Sequence, residues 1–177
     1  MTAEQFLSLG ETDARLELVD GVIAVSPNPF PSHQRVVQEL CYQIEQWARK
    51  TKLAVVYPDT DVIFESSIVY RPDISVYATG RHDGVPRSLR TPPDLIIEVL
   101  SGGSKPMDLI TKREDYERFG VGEYIVIDPD TGRVHRWMRQ QGAFGEPPVL
   151  GDTLESTVFP GLVFDLAAAR AVAGRSV

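Results

Sequence analysis

The chain has 177 residues, 42% of them hydrophobic and 24% charged, which is the composition of an ordinary globular domain and excludes a disordered or fibrous one. Its length suits one well-buried core and is too short to expect two, so residues 1–177 are read as a single domain. A formal net charge of −7 argues against coating nucleic acid by bulk electrostatics, so any contact with phosphate must rest on a local basic patch or a bound cation.

Thr2 is placed to cap a short helix over AEQFLSL, with Gly10 to end it. Leu16 to Val19 and Val22 to Val25 flank Asp20-Gly21, a strong hairpin signal, so an N-terminal β-hairpin follows. A proline-rich connector, Ser26 to Pro31, leads to Ser32 as a candidate N-cap. From Ser32 to about Lys50, Val36, Val37, Leu40, Cys41, Ile44, Trp47 and Ala48 keep helical spacing with one apolar face. Cys41, the single cysteine, reads as filler on that face. It excludes an internal disulfide framework and fits a reducing compartment.

Leu53 to Tyr57, Asp61 to Glu65 and Ile68 to Ala78 read as strands, the last interrupted by Pro72. A proline within a strand belongs at an edge, a start or a bulge, so the backbone should bend just before Asp73. Thr79 to Pro93 is a long polar loop, and Leu95 to Leu100 a buried strand with Glu98 in its middle. Ser101 to Ser104 turns the chain into a helix that Ser104 can cap and Gly120 can end. Glu123 to Ile127, Arg133 to Met138 and Leu154 to Phe159 read as strands, and Phe164 to Val172 as a short helix. This order is that of an α/β or α+β domain with a mixed sheet and helices.

No apolar run approaches the roughly 18 residues of a membrane span, and the N-terminal stretch has no basic segment followed by a long apolar one. The expected location is cytoplasmic, without a membrane partner. There is no Walker loop, no Gly-x-Gly-x-x-Gly fingerprint and no Gly-x-Ser-x-Gly elbow.

Glu98 is the central anomaly, because an unpaired carboxylate in a buried strand costs several kcal/mol, roughly, unless it takes a cation, a basic partner or a proton. Asp73 begins a neighbouring apolar strand, and the two acids together suit Mg²⁺ or Mn²⁺, which prefers one or two carboxylates with waters and a phosphate. The backbone carbonyl of Val99 is a candidate third ligand. The competing reading is a structural salt bridge from Glu98 to an arginine or to Lys112. Asp108, Lys112 and Tyr116 recur every four residues on one helical face, which suits a site but also an ordinary i, i+4 ion pair.

Glu17 alternates away from Leu16 and Leu18; it is expected to be solvated if those two face the core, and otherwise adds a carboxylate to the site. His33, in the first turn of the long helix, is read as bonding backbone or a nearby acid. Arg71, Arg81, Arg87 and Arg113 surround the acidic strands in sequence, and would form a groove for nucleic-acid phosphates if they converge in space. Solvated arginines are the competing outcome.

The series LELVDG, SHQRVV, RPDISVY, PPDLIIEVLS, MDLITKREDYERFGVGEYIVIDP and FPGLVFDL resembles, in that order, the Uma-type family of restriction-endonuclease-like proteins in the PD-(D/E)XK nuclease superfamily. The resemblance covers nearly the whole chain. It implies a restriction-endonuclease-like fold, a mixed central sheet flanked by helices, with Asp73 and Glu98 as the acids of a divalent metal. The superfamily's lysine normally stands two residues after that glutamate; Leu100 holds the place here, and the resemblance points to Lys112 on the following helix instead. The implied activity is Mg²⁺-dependent hydrolysis of DNA phosphodiesters by in-line attack of water, and the expected assembly is a homodimer or higher homo-oligomer. The alternative is a non-catalytic nucleic-acid-binding or assembly protein that retains the fold.

Overall fold

The computed structural model describes residues 1–10, 14–26, 29–81, 88–101 and 103–174. Helix α1 (Ala3–Leu7) is closed by a capping box in which Thr2 and Gln5 satisfy each other's exposed amides. The hairpin of β1 (Arg15–Val19) and β2 (Val22–Ser26) pairs Val19 with Val22 across Asp20-Gly21. Both turn residues have positive φ, 49° for Asp20 and 78° for Gly21, as this tight turn requires.

Helix α2 (Pro31–Thr51) starts one residue before the expected Ser32: Phe30 holds the cap position without a side-chain bond. Proline explains the shift, since its fixed φ suits a first helical turn whose amide has no partner to lose. Its buried residues Val36, Leu40, Ile44 and Ala48 form the predicted stripe. Cys41 is half-buried against the same cluster, and burial pushes its thiol up to about 11, which suits packing rather than nucleophilic chemistry.

Most strands of the described residues fall in two of three sheets. The larger has six strands in the order β10-β9-β8-β7-β6-β3, built from β3 (Ala54–Pro58), β6 (Ile74–Ala78), β7 (Leu95–Val99), β8 (Glu123–Ile127), β9 (Val134–Gln140) and β10 (Ala143–Gly145). The smaller has the order β2-β1-β5-β4, with β4 (Val62–Glu65) and β5 (Ile68–Tyr70). The strand expected over Ile68 to Ala78 therefore splits at Arg71-Pro72-Asp73, and its halves serve different sheets. Proline cannot donate to a ladder, so the corner falls there.

Only β7 and β8 run parallel in the larger sheet. Their connection crosses over through a helical segment that is a π-helical turn at Met107–Lys112 and an α-helix, α3, at Arg113–Phe119. Near the C-terminus, β11 (Thr153–Glu155) pairs with β12 (Val163–Asp165), and α4 (Leu166–Ala173) follows. The expected Leu154–Phe159 strand is thus shorter, and the expected last helix begins after a strand.

Alternation along β7 sorts its side chains onto two faces. Leu95, Ile97 and Val99 pack with α2 and α4. Ile96 packs with Tyr116, Tyr124 and Trp137 on the other side, and Glu98 follows the same period of two toward that side. Trp137 is buried there beneath a stacked His135, 5.6 Å away between ring centroids. No described helix is long and apolar enough to cross a membrane.

Candidate active site

The register of β6 against β7 pairs Ile74 with Ile97, so one step further Asp73 stands across from Glu98. Each carboxylate caps an amide of the other's strand where the regular ladder ends. The Asp73 amide donates to Glu98 Oε2 at 3.0 Å, and the Val99 amide donates to Asp73 Oδ2 at 2.8 Å. Two acids 25 residues apart are thereby fixed by reciprocal hydrogen bonds to opposing backbone. Both are buried, 3% exposed for Asp73 and 2% for Glu98.

The third member comes from the π turn. Lys112, 3% exposed, donates to Glu98 Oε1 at 2.9 Å and forms ion pairs with Glu17 at 3.0 Å and Asp108 at 3.3 Å. A π turn is wider than an α turn and occurs often at functional sites; here Asp108 and Lys112 are its two buried residues. The structural salt bridge weighed for Glu98 is therefore present, with Lys112 as partner.

A shell of tyrosines closes the back of the site. Tyr116 donates to Glu98 Oε1 at 3.2 Å, and Tyr124 donates to the Asp108 carbonyl at 3.0 Å. The Lys112 ammonium lies 5.6 Å from the Tyr70 ring centroid, within cation–π range. Of the residues singled out on this helix, Asp108, Lys112 and Tyr116 all reach the site.

Glu17 is corrected from a solvated residue to a buried one, 2% exposed. Leu16 and Leu18 do pack with α1 and β5, as alternation requires, but the opposite face of β1 is covered too. Glu17 Oε1 accepts from the Arg71 amide at 2.9 Å and pairs with Lys112. His33 is buried at the N-terminal turn of α2 and meets Asp73 Oδ2 through Nε2 at 3.0 Å. Its Nδ1 is buried without a partner among the described residues.

Arg15 escaped the sequence reading. Its guanidinium lies 2.8 Å from Asp73 Oδ1 and 3.9 Å from Asp59 Oδ1. The available signal was the alternation of RLELV, which places Arg15 and Glu17 on one face.

These side chains line a cavity of about 120 Å³, walled also by Val25, Ser26, Pro29, Val99, Ser101 and Met107. The space accommodates several waters. The buried carboxylates Glu17, Asp73, Glu98 and Asp108 outnumber the cations Arg15 and Lys112 by two. Burial holds the Glu98 carboxyl well above its ordinary range, opposed by Lys112 and reinforced by Asp73 and Asp108. Burial also raises Asp108, against the pull of Lys112. Asp73 goes the other way: burial pushes it up, but His33, Arg15 and the Val99 amide together hold it below the usual carboxylate range. Lys112, which burial would discharge, is kept protonated by Glu17, Glu98 and Asp108.

The donor set fits a hard divalent cation. Among the described residues Asp73 Oδ1 and Glu98 Oε2 each accept a single hydrogen bond or ion-pair contact, which leaves acceptor capacity on both. The described residues contain no group of three or more His, Cys, Asp and Glu side chains arranged to hold a metal by themselves. Two carboxylates completed by waters and substrate oxygen is the usual arrangement for Mg²⁺. The Val99 amide is committed to Asp73, so the only ligand Val99 has to offer is its carbonyl.

The three described arginines of the expected groove each hold a carboxylate. Arg71 pairs bidentately with Asp61, at 2.8 and 3.1 Å; Arg81 bonds Asp94 and the Pro92 carbonyl; Arg113 pairs with Glu114 and Glu117. Each found a carboxylate close to its own strand or helix, and none of the three lines the cavity. Arg87 lies outside the described residues.

Comparison with known proteins places this geometry in context. No curated protein matches the chain. Among solved structures, a protein described as a "putative nuclease belonging to DUF820" from Anabaena variabilis ATCC 29413 is similar at a TM-score of 0.84. It is 21% identical in sequence, and the alignment covers 98% of this chain and 99% of that one, which establishes a shared fold. The family model for Uma2, described as "Putative restriction endonuclease", matches residues 3–169. The chain belongs to the Uma2 family.

Proposed function

We propose that this protein is a divalent-cation-dependent nuclease that hydrolyses phosphodiester bonds of DNA in the cytoplasm. The observation that carries the reading is the reciprocal bonding of Asp73 and Glu98 at the ends of β6 and β7, with Lys112 buried against Glu98. Asp73, Glu98 and the Val99 carbonyl would hold Mg²⁺ or Mn²⁺, which would supply positive charge to offset the negative charge developing on the phosphoryl oxygens. Lys112 fixes the Glu98 carboxylate against Glu17 and Asp108 and keeps a permanent positive charge behind it. His33 holds Asp73 from the side of α2, and Tyr116 orients Glu98 through Oε1. The family description and the nuclease-like neighbour support this reading.

The homodimer expected from the sequence belongs to the same proposal. Among the described residues β2 is an edge strand of its sheet, and it carries exposed Val22 and Val25. An open edge of this kind pairs readily with its own copy about a two-fold axis. Light scattering on the parent and on Val25→Lys checks it; a parent that is monomeric at all concentrations refutes it.

A second reading, a non-catalytic nucleic-acid-binding member, is favoured by one observation: Arg15 already neutralises Asp73. Plasmid nicking in Mn²⁺ separates the two. Activity that disappears in Asp73→Asn and Glu98→Gln, while both variants remain folded, supports the nuclease. Cleavage undiminished in both variants, or absent in the parent, refutes it.

A further inference from the structure

The cavity holds one cation that the proposed chemistry does not need in its present place. Lys112 is enclosed by three carboxylates, but Arg15 rests on a single one inside the site, Asp73 Oδ1, which is also a candidate ligand atom. The same nitrogen, Nη2, lies 3.9 Å from Asp59 Oδ1, and the Asp59 side chain is 66% exposed. Arg15 thus stands between a buried acid and a surface acid. Asp59 follows the end of β3 at φ 44°, a backbone region that Asn and Asp tolerate.

We propose that Arg15 is a placeholder for the divalent cation: it occupies Asp73 until the ion arrives, then transfers its guanidinium to Asp59. The inference rests on the metal reading above. Two cations on one carboxylate repel, and in a buried site that repulsion is weakly screened, so the ion and the guanidinium compete for Oδ1. Asp59 gives the displaced charge a partner in water, where pairing costs little reorganisation. The transfer leaves the Arg15 backbone paired with Ser26, but it must re-aim Nη2, which also donates to the Arg71 carbonyl at 2.5 Å.

Competition has a readout that does not require catalysis. Mn²⁺ binding, followed by water-proton relaxation or calorimetry at neutral pH, is measured for the parent, Arg15→Gln and Asp59→Asn. Arg15→Gln removes the competitor and is expected to tighten Mn²⁺ at least about fivefold, the lower range of ordinary coupling between sites. Asp59→Asn keeps the turn but removes the surface partner, and is expected to weaken Mn²⁺ about twofold or more. Should Arg15→Gln not fold, Asp59→Asn decides alone, its substitution being exposed and conformationally matched. Tighter binding by Arg15→Gln than by the parent, with weaker binding by Asp59→Asn, supports the placeholder; binding by Arg15→Gln but not by the parent overturns the transfer. Equal or weaker binding by folded Arg15→Gln, or unchanged binding by Asp59→Asn, overturns it while leaving the nuclease reading intact. Absence of Mn²⁺ from the parent and from both variants overturns both.

Discussion

Lys112→Met offers a quantitative test of the buried charge network. The ammonium lies 2.9, 3.0 and 3.3 Å from Glu98, Glu17 and Asp108, with its side chain 4% exposed, so solvent offers little compensation when it is removed. Breaking a buried pair from one side costs about 3–5 kcal/mol. For a domain of this size each kcal/mol moves Tm by about 2–4 °C, so the loss should be about 6–20 °C. The cost should depend on pH in a defined direction. Burial raises Glu98 above its ordinary 4.5 and Asp108 above 3.8, so the folded state binds these protons more tightly than the unfolded one. Their penalty grows as pH rises above those ordinary values and is relieved as pH falls toward them. Removing Lys112 raises both further. Thermal melts by circular dichroism should therefore show a larger drop at pH 8 than at pH 5.5. A drop under about 2 °C, or one of equal size at both pH values, would refute a buried three-way ion cluster.

Asp73 has the opposite linkage: its native carboxyl is held below the ordinary 3.8, by His33, Arg15 and Val99 against burial. Its contribution is present above that ordinary value and is lost as pH falls through the lower native one. Asp73→Asn should accordingly flatten the acid limb of a Tm-versus-pH curve, and an unchanged limb would count against the pairing. Glu123 is a buried acid of another kind, bonded by Arg136 at 2.6 Å and the Ser156 hydroxyl at 2.6 Å, away from the cavity. Glu123→Ala should cost about 3–5 kcal/mol in a denaturant titration, yet folded protein should retain the parent's Mn²⁺ affinity. Gly122 permits a close approach, since a Cβ there would stand 2.9 Å from the Asp94 carbonyl and 3.1 Å from Val158 Cγ2. Gly122→Ala should lose about 1–3 kcal/mol by overpacking, and a neutral result in urea would show that β8 can shift.

The parts of the site written as local contradictions were legible. Glu98 stood out as an acid within LIIEVL, and Pro72 marked the corner before Asp73; both follow from rules that act over a few residues, strand burial and the missing proline amide. Their meeting across β6 and β7 was a matter of register, and a single strand pairing carried it. Arg15 and the burial of Glu17 were hidden because alternation tells which residues share a face, not what covers that face. The hairpin looked two-sided, with Leu16 and Leu18 inward, until the π turn filled the other side. The π turn itself has no short-range signature here: the spacing of Asp108, Lys112 and Tyr116 fits an α-helix equally well, and the wider turn depends on tertiary packing. For the arginines, position near the acidic strands in sequence left convergence open, because a partner such as Asp61 for Arg71 is set by tertiary packing.

If the Asp73 and Glu98 carboxylates together receive a divalent cation, a crystal of the parent soaked in Mn²⁺ will show a strong anomalous peak in the cavity, in contact with both carboxylates and absent from Glu98→Gln. A fully soaked crystal with no peak there, and Arg15 still seated on Asp73, would rule out the metal site.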